Sequence, residues 1–597
     1  MQISRISIEN FRGIKTTEIL LPKHAVLIGD NNTGKTTILE AIDLTLGPDR
    51  LNRFPVIDEH DFYQGRYVVI PEDGNKPEIQ KIAITVTIIN LSEEQIARFG
   101  NYIEFWDTTT NHLYDKASPD GVDADYITEA IRVTFIGNYI IDDDDFEGKT
   151  YYSRSLEEGE TPQPFNKKDK QLCGFLYLRT LRTGSRALSL ERGSLLDIIM
   201  RLKEIRPKMW ESTLKKISSY SVARDPDFGI SEVLESINSA LKKYVPKEWG
   251  IEPHLKISNL TREHLRKVIT PFIATGVDTT HAAPFYRQGT GTINMLVLAM
   301  LSQIAADKQN VIFAMEEPEI AVPPYAQKRI IHEIRKLSTQ ALFTSHSPYV
   351  LEEFSTDETI VLSRNDAGKL KQHPISLPSS VKPKRYRQEF RTRFCEGLLS
   401  RRILIAEGAT EAASLPAVSR RLAEENNETY MSLEAMGICT IDAGSENNIP
   451  DLAKLYKELG KTVFAICDKQ TEANQALIEA QVDVLYMHEE KGFEDLVLSS
   501  TSEEALKRYC RNVDDWPEKI LHKYPRPEDA PKEALLPYFK KTKGEGTVSD
   551  LLVQCYESEI PEWLKKTCIS LKFNCESKQP IPEETENIEA TDAPPEE

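Results

Sequence analysis

The chain has 597 residues, 40% of them hydrophobic, and a formal net charge of −19. At roughly 100 to 200 residues per domain that length predicts three to five units, and the charge excludes a protein that coats nucleic acid indiscriminately, because phosphate contacts need concentrated Lys and Arg. No window approaches the roughly 20 apolar residues of a membrane span, the opening MQISRISIENFRG lacks the apolar stretch of a signal peptide, and eight cysteines without a CxxC pair fit reduced thiols in a cytoplasm.

The opening MQISRISIENFRGIKTTEILLPK alternates apolar and polar residues as edge strands do, then HAVLI runs into GDNNTGKT, and TTILEAIDLTL follows with helical apolar spacing. Strand, Gly-rich loop and helix are the context that the G-x-x-x-x-G-K-[ST] pattern requires. Gly29 and Gly34 let backbone N–H groups converge on phosphate oxygens, Lys35 reaches the terminal phosphates and Thr36 ligates magnesium, with Asn32 and Thr37 completing the nucleotide-binding set. ATP with Mg²⁺ is the expected ligand. Residues 91–170 read as acidic and irregular, including DDDDFEGK, with no nameable chemistry. GFLYLRTLRTGSRAL then gives a strand and a basic turn, and LLDIIMRLKEIRPKMWESTLKKISS a helical stretch whose simplest use is an inserted arm for dimer formation. The absence of a long heptad run excludes a long coiled coil.

In PFYRQGTGTINMLVLAML a turn from Gln288 to Thr292 opens an apolar helix, so Gly289 and Gly291 offer backbone amides at a helix N-terminus, an anion site. A second phosphate site makes sense if two copies face each other, each turn closing over the partner's nucleotide. KQNVIFAMEEPEI is a buried-strand run ending in two acids: Glu316 would hold magnesium through water and Glu317 polarise the attacking water. The next apolar strand ends in SHSP, where His346 would sense the terminal phosphate. This order of motifs resembles the ATP-binding-cassette ATPases of the SMC and DNA-repair type, including the early FRG, the degenerate signature QGTGTIN and EEPE before a histidine switch. The resemblance implies ATP-dependent dimerisation of heads and divides the region into an N-terminal lobe (1–170), a helical dimerisation insert (171–260) and a C-terminal lobe (261–380). After Glu319 the chain reads IAVPPYAQ where relatives show HLHP, so that turn receives no role.

Residues 381–400 read as a basic linker; from Lys382 to Arg402 eight basic residues stand against two acids, either a solvated face or a DNA-facing patch. The pattern then restarts. RRILIAEGATEAASLPAVSRRL, GICTIDAG, KTVFAICD and DVLYM alternate with helical segments and predict a parallel α/β sheet. Glu407, Asp442 and Asp468 fall at strand C-termini, where such sheets place active sites, and Glu411 lies one helical turn after Glu407 on the same side; carboxylates converging there suit one or two hard cations, Mg²⁺ or Mn²⁺. LIAEGATE and FAICDKQ look like a Toprim domain (401–575, with a helical C-terminal part), followed by an acidic tail (576–597) predicted to be disordered.

The whole is a multidomain α/β chain, and the pairing of the two parts resembles the overcoming-lysogenisation-defect (OLD) family, which includes the nuclease subunit of the Gabija antiphage system and retron-linked OLD proteins. The resemblance implies an ATP-regulated, metal-dependent DNA endonuclease of the cytoplasm acting as a homodimer or higher oligomer, with a helicase or a reverse transcriptase and its RNA–DNA product as candidate partners and no membrane. It also implies Glu407, Glu411, Asp468 and Glu494 as metal ligands and Lys543 as the cation that neutralises charge on the phosphate. The Toprim pattern expects D-x-D, whereas this chain has Asp468-Lys469-Gln470. That departure leaves open a second reading, a DNA-sensing ATPase scaffold that does not cut.

Overall fold

The computed structural model describes residues 1–48, 56–69, 77–178, 194–202, 206–219, 230–241, 261, 265–266, 269–274, 282–307, 311–320, 322–378, 391–543 and 545–576. They divide into two units, Met1–Ile375 and Ser376–Glu597. Among the described residues no helix is long and apolar enough to cross a membrane. All eight cysteines are free, and seven are buried.

The first unit holds two large sheets. The N-terminal strand Gln2–Phe11 buries alternate residues, as a strand with one face on a core must. It lies in a seven-stranded antiparallel sheet between Ile14–Leu20 and Ile82–Ile89. The second sheet has six strands in the order Phe175–Leu178, Ile312–Glu316, Gln340–Thr344, His24–Ile28, Thr359–Arg364, Leu370–His373, parallel except at the last. Its inner strands are buried along their whole length, which is why HAVLI, IFAME and QALFT are apolar runs rather than alternations. The helix Lys35–Leu46 contacts both sheets, and one core joins Ile38, Leu39 and Ile42 to Ile6, Ile84 and Val133 on one side and Ile312, Leu342 and Ile360 on the other.

A buried amide ties the sheets together. Gln340, fully buried, accepts from Ile3 N–H at 2.7 Å and donates to the Ile3 and Pro22 carbonyls at 2.8 and 3.0 Å. At the other end of the same strand, Arg12 (φ 50°) pairs with Glu40 of the helix and with Asp61 at 2.8 Å, while the Gly13 carbonyl accepts from Arg364 at 3.0 Å. The FRG sequence is thus a corner that fixes the antiparallel sheet against the helix Lys35–Leu46.

The region 91–170, read from sequence as irregular, is largely β-structure: a capped helix Glu93–Phe99 precedes the strands Ile103–Asp107, His112–Tyr114, Ile127–Ile140 and Asp145–Tyr152. DDDDFEGK is the turn and return strand of a hairpin, with Asp144 at positive φ. In the insert, helices Leu195–Leu202, Arg206–Ser219 and Ile230–Leu241 are present, the first two sharing a small core of Met200, Trp210 and Leu265. The basic turn after Leu178, residues 379–390 of the basic segment and the acidic tail from 577 lie outside the described residues.

The second unit centres on a four-stranded parallel sheet ordered Ile438–Asp442, Arg402–Ala406, Thr462–Cys467, Val484–Met487. Helices Glu503–Asn512, Pro531–Lys541, Thr547–Val553 and Glu562–Glu576 share its core through Leu506, Phe539, Leu551 and Leu571. The end of the presumed basic linker belongs here too. Arg391–Leu399 is a helix whose Phe394, Cys395 and Leu398 are buried, and a Cβ on Gly397 would meet Ile441 and Tyr456 at 2.7 Å.

Gln340→Leu keeps the volume but leaves the buried N–H and carbonyl groups of Ile3 without their partner. At about 1–3 kcal/mol for each unsatisfied group, the first unit is expected to lose roughly 2–5 kcal/mol in urea unfolding. A loss under about 1 kcal/mol would mean that the clasp between the sheets is dispensable.

Candidate functional sites

In the first unit the strand order sets the ends of His24–Ile28, Gln340–Thr344 and Ile312–Glu316 side by side. The loop after the first needs glycine. Gly29 has φ 154° and a Cβ there would stand 2.6 Å from the Leu362 carbonyl oxygen, while Gly34 (φ 116°) caps the helix and Asn32 adopts φ 65°. Lys35 is buried, its Nζ donating to the carbonyls of Gly29 and Asp30 at 2.8 and 2.9 Å, whereas Thr36 is exposed and Thr37 half-buried at the start of the helix. Glu316 ends the next strand but one, buried, with the Tyr177 hydroxyl on its Oε1. Glu317 follows at φ 43°, its N–H donating to Thr344 at 2.9 Å. Such a left-handed turn is uncommon outside glycine.

Glu319 joins this turn to the next strand end, since its Oε1 accepts from Ser345 Oγ at 3.0 Å and from the His346 N–H at 2.7 Å. Burial holds the Glu319 carboxyl above the usual range. His346 is held below the ordinary histidine value by burial first and then by the positive charge of Lys35, with Glu317 opposing. The imidazole is therefore within electrostatic reach of both the loop lysine and the second acid of the pair. Gln288 and Gly289 precede the helix Thr290–Asp307, which contains Gly291; Gly289 is exposed and a Cβ there would meet nothing within 4 Å.

In the second unit, parallel pairing sends four acids to one edge. Glu407 follows Arg402–Ala406, and its Oε2 accepts from the Asp468 N–H at 3.1 Å and from Gln470 Nε2 at 3.2 Å. Gln470 is itself held by Asn474 Nδ2 on its Oε1 at 2.8 Å. Glu411 lies in the first turn of the helix Ala409–Glu425 and Glu494 in that of Phe493–Ser500, where Thr410 Oγ1 donates to Glu494 Oε1 at 2.9 Å. Gly492 lies beside both acids: a Cβ there would stand 3.5 Å from Glu494 Oε2 and 4.0 Å from Asp468 Oδ2, ordinary contact distances. Burial, reinforced by the charges of Asp468, Glu494 and Glu407, pushes the Glu411 carboxyl up to about 7. Burial and then Asp468 raise Glu407 as well.

Asp442 ends its strand as expected, but its Oδ1 accepts from the Gly444 N–H at 2.7 Å in the following turn. Lys543 lines a pocket with Thr410, Ser414, Thr542, Thr547 and Ser549, beside the helix that carries Glu411.

The donors fit a hard divalent cation. They are carboxylate oxygens, and Glu411 Oε2 and Asp468 Oδ1 are buried without a hydrogen-bond partner among the described residues. As the side chains stand, no three His, Cys, Asp or Glu among the described residues converge closely enough to hold an ion. Gln470 and the Asp468 N–H hold Glu407, and Thr410 holds Glu494. Sequence reading missed Tyr177, Thr410 and His488. The last could have been found by the rule that found Asp468, because it follows DVLYM as Asp468 follows FAIC.

A family model described as an AAA ATPase domain matches residues 1–351, and one described as the Toprim domain of overcoming-lysogenization-defect-like proteins matches residues 398–469. The chain is 19% identical over 510 residues to the Old nuclease of Escherichia phage P2, covering 78% of this chain and 77% of that protein. It is 24% identical over 441 residues to Endonuclease GajA of Bacillus cereus, covering 69% and 66% respectively. Among solved structures, the SMC head domain from Thermotoga maritima aligns at 12% identity and a TM-score of 0.29, over 63% of this chain and all of that one.

Lys35→Ala is expected to weaken ATP binding by about a hundredfold or more, since charge-assisted contacts to phosphate are worth about 1.5–3 kcal/mol each, while circular dichroism stays native. Unchanged affinity by titration calorimetry would dismiss the P-loop assignment. Glu317→Gln is expected to slow ATP hydrolysis about a hundredfold or more and to trap nucleotide, as loss of a general base does. Turnover at the wild-type rate would put the base elsewhere.

Proposed function

Because the chain belongs to the AAA ATPase-domain family and carries an OLD-like Toprim domain after it, we propose that it is a divalent-metal-dependent DNA endonuclease whose cutting is regulated by ATP. The observation that carries this reading is the set of four acids at one edge of the Toprim sheet, buried or half-buried and electrostatically coupled through Glu411. The kinship with two nucleases supports it.

Glu407, Glu411, Asp468 and Glu494 would hold Mg²⁺ or Mn²⁺, which supplies Lewis acidity at the scissile phosphate and a bound water of lowered pKa. Asp468 and Gln470 orient Glu407, Thr410 orients Glu494, and Lys543 offsets negative charge on the phosphate from the hydroxyl-lined pocket. In the ATPase unit Lys35 and the loop amides bind the phosphates, and Thr36 and Glu316 take the magnesium. Glu317 acts as base and His346 reads the terminal phosphate. Two heads closing over ATP through the Gly289–Gly291 turn give a homodimer, and a role in antiphage defence follows from the OLD kinship.

The neutral amide of Gln470, where the Toprim pattern has an acid, favours a second reading: an ATPase scaffold that binds DNA without cutting. Supercoiled-plasmid nicking over Mg²⁺ and Mn²⁺ titrations separates them. Asp468→Ala is expected to abolish nicking, because removing an anionic donor leaves the cation underneutralised. Gln470→Asp is expected to retain or raise it and to tighten metal binding. A wild-type protein that never nicks favours the scaffold, and an Asp468→Ala variant that nicks like wild type removes this strand end from the active site.

A further inference from the structure

His488 is used by nothing described so far. It follows the edge strand Val484–Met487, and the pairing of Cys467 with Met487 continues into a backbone contact from the His488 N–H to the Cys467 carbonyl at 3.4 Å. The register therefore makes His488 the neighbour of Asp468. Its side chain is only 1% exposed, and the ring packs edge-on to Trp563 with centroids 5.3 Å apart and against Phe493 at 6.3 Å. Aromatic packing on these sides limits the rotation of the imidazole.

Neither ring nitrogen has a hydrogen-bond partner among the described residues, although a buried polar group left unsatisfied costs about 1–3 kcal/mol. Nε2 lies 3.0 Å from Asp468 Oδ1, an oxygen that is also buried and without a hydrogen bond. The two atoms are close but not aligned as donor and acceptor. A separation of about 3 Å is what two donor atoms show on adjacent corners of an octahedral ion with bonds of about 2.1 Å. Their proximity and lack of partners are both resolved if a third atom lies between them.

We propose that His488 is a nitrogen ligand of the cation held by the Toprim carboxylates, and that it shifts this site's preference from Mg²⁺ towards a first-row transition ion, for which Mn²⁺ is the probe. The inference rests on the reading that the acid cluster binds a divalent cation. Mg²⁺ takes oxygen donors and demands near-ideal geometry, whereas imidazole is a ligand of the first-row transition ions. The chain has also exchanged one anionic oxygen for the amide of Gln470, a change that weakens the electrostatic hold on which Mg²⁺ most depends. Nitrogen coordination compensates by a bond that Mg²⁺ does not exploit.

The test is pulsed electron paramagnetic resonance of Mn²⁺ bound to the full-length chain without nucleotide, with Asp468→Ala as the blank for other sites. The expected result is ¹⁴N modulation in the Asp468-dependent signal of the wild type, lost in His488→Gln. Mn²⁺ affinity in that variant should fall about tenfold or more, and Mg²⁺ affinity measured by competition should change less than about threefold. The wild-type spectrum decides even if the variant fails to fold, which circular dichroism would reveal. Asp468-dependent Mn²⁺ binding without ¹⁴N modulation overturns the assignment of His488 and leaves the carboxylate site standing. No Asp468-dependent binding at all overturns the carboxylate site itself, and this inference with it.

Discussion

Like charges brought to one edge of a parallel sheet repel, and the polar face of the C-terminal unit is arranged around that repulsion. Two carboxylates about 4 Å apart cost on the order of 4 kcal/mol at the effective dielectric of a partly buried site. Neutral donors relieve part of it: the Asp468 N–H and the Gln470 amide on Glu407, and the Thr410 hydroxyl on Glu494. Glu411 Oε2 has no such donor among the described residues, and burial first, then the neighbouring charges, push its carboxyl up to about 7. The fold holds these groups in spite of their cost, because the helices behind them pack on a continuous apolar core.

The ATPase unit solves a different problem with the same device, parallel strands whose ends lie side by side. There the adjacent strand ends bring unlike groups together, a buried lysine amine on loop carbonyls, an acid pair and a histidine, and the turns between them are locked by Glu319 and by the backbone of Glu317. Parallel pairing in both units delivers residues distant in sequence to one line, and local conformation then decides which of them face one another.

Much of this was legible because buried parallel strands leave apolar runs that end in chemistry. HAVLI, IFAME, QALFT, RILIA and TVFAIC each announce a strand and the residues that follow it. The antiparallel region was not legible, since strands such as Ile127–Ile140 carry polar residues on their outer face and the acidic turn at Asp142–Asp144 dominates the composition around it. The helix Arg391–Leu399 was hidden for a related reason: Arg393 is exposed and gave the segment its basic character, while Phe394, Cys395 and Leu398 turn inward. His488 stands at a strand end as Asp468 does, but only the register of the two strands shows that they are neighbours. The clasp made by Gln340 could not be read at all, since nothing in a lone glutamine indicates that its partner is Ile3.

The strand order of the first unit also bears on how the protein is made. The strand His24–Ile28 is made long before its two neighbours in the sheet, Gln340–Thr344 and Thr359–Arg364. The first of these neighbours, and the Gln340 amide that Ile3 awaits, do not exist until synthesis has reached residues 340–344, and the second is complete only at residue 364. The nascent N-terminus carries apolar strand edges through most of the time it takes to translate the unit, and it is in that interval that a chaperone has something to hold.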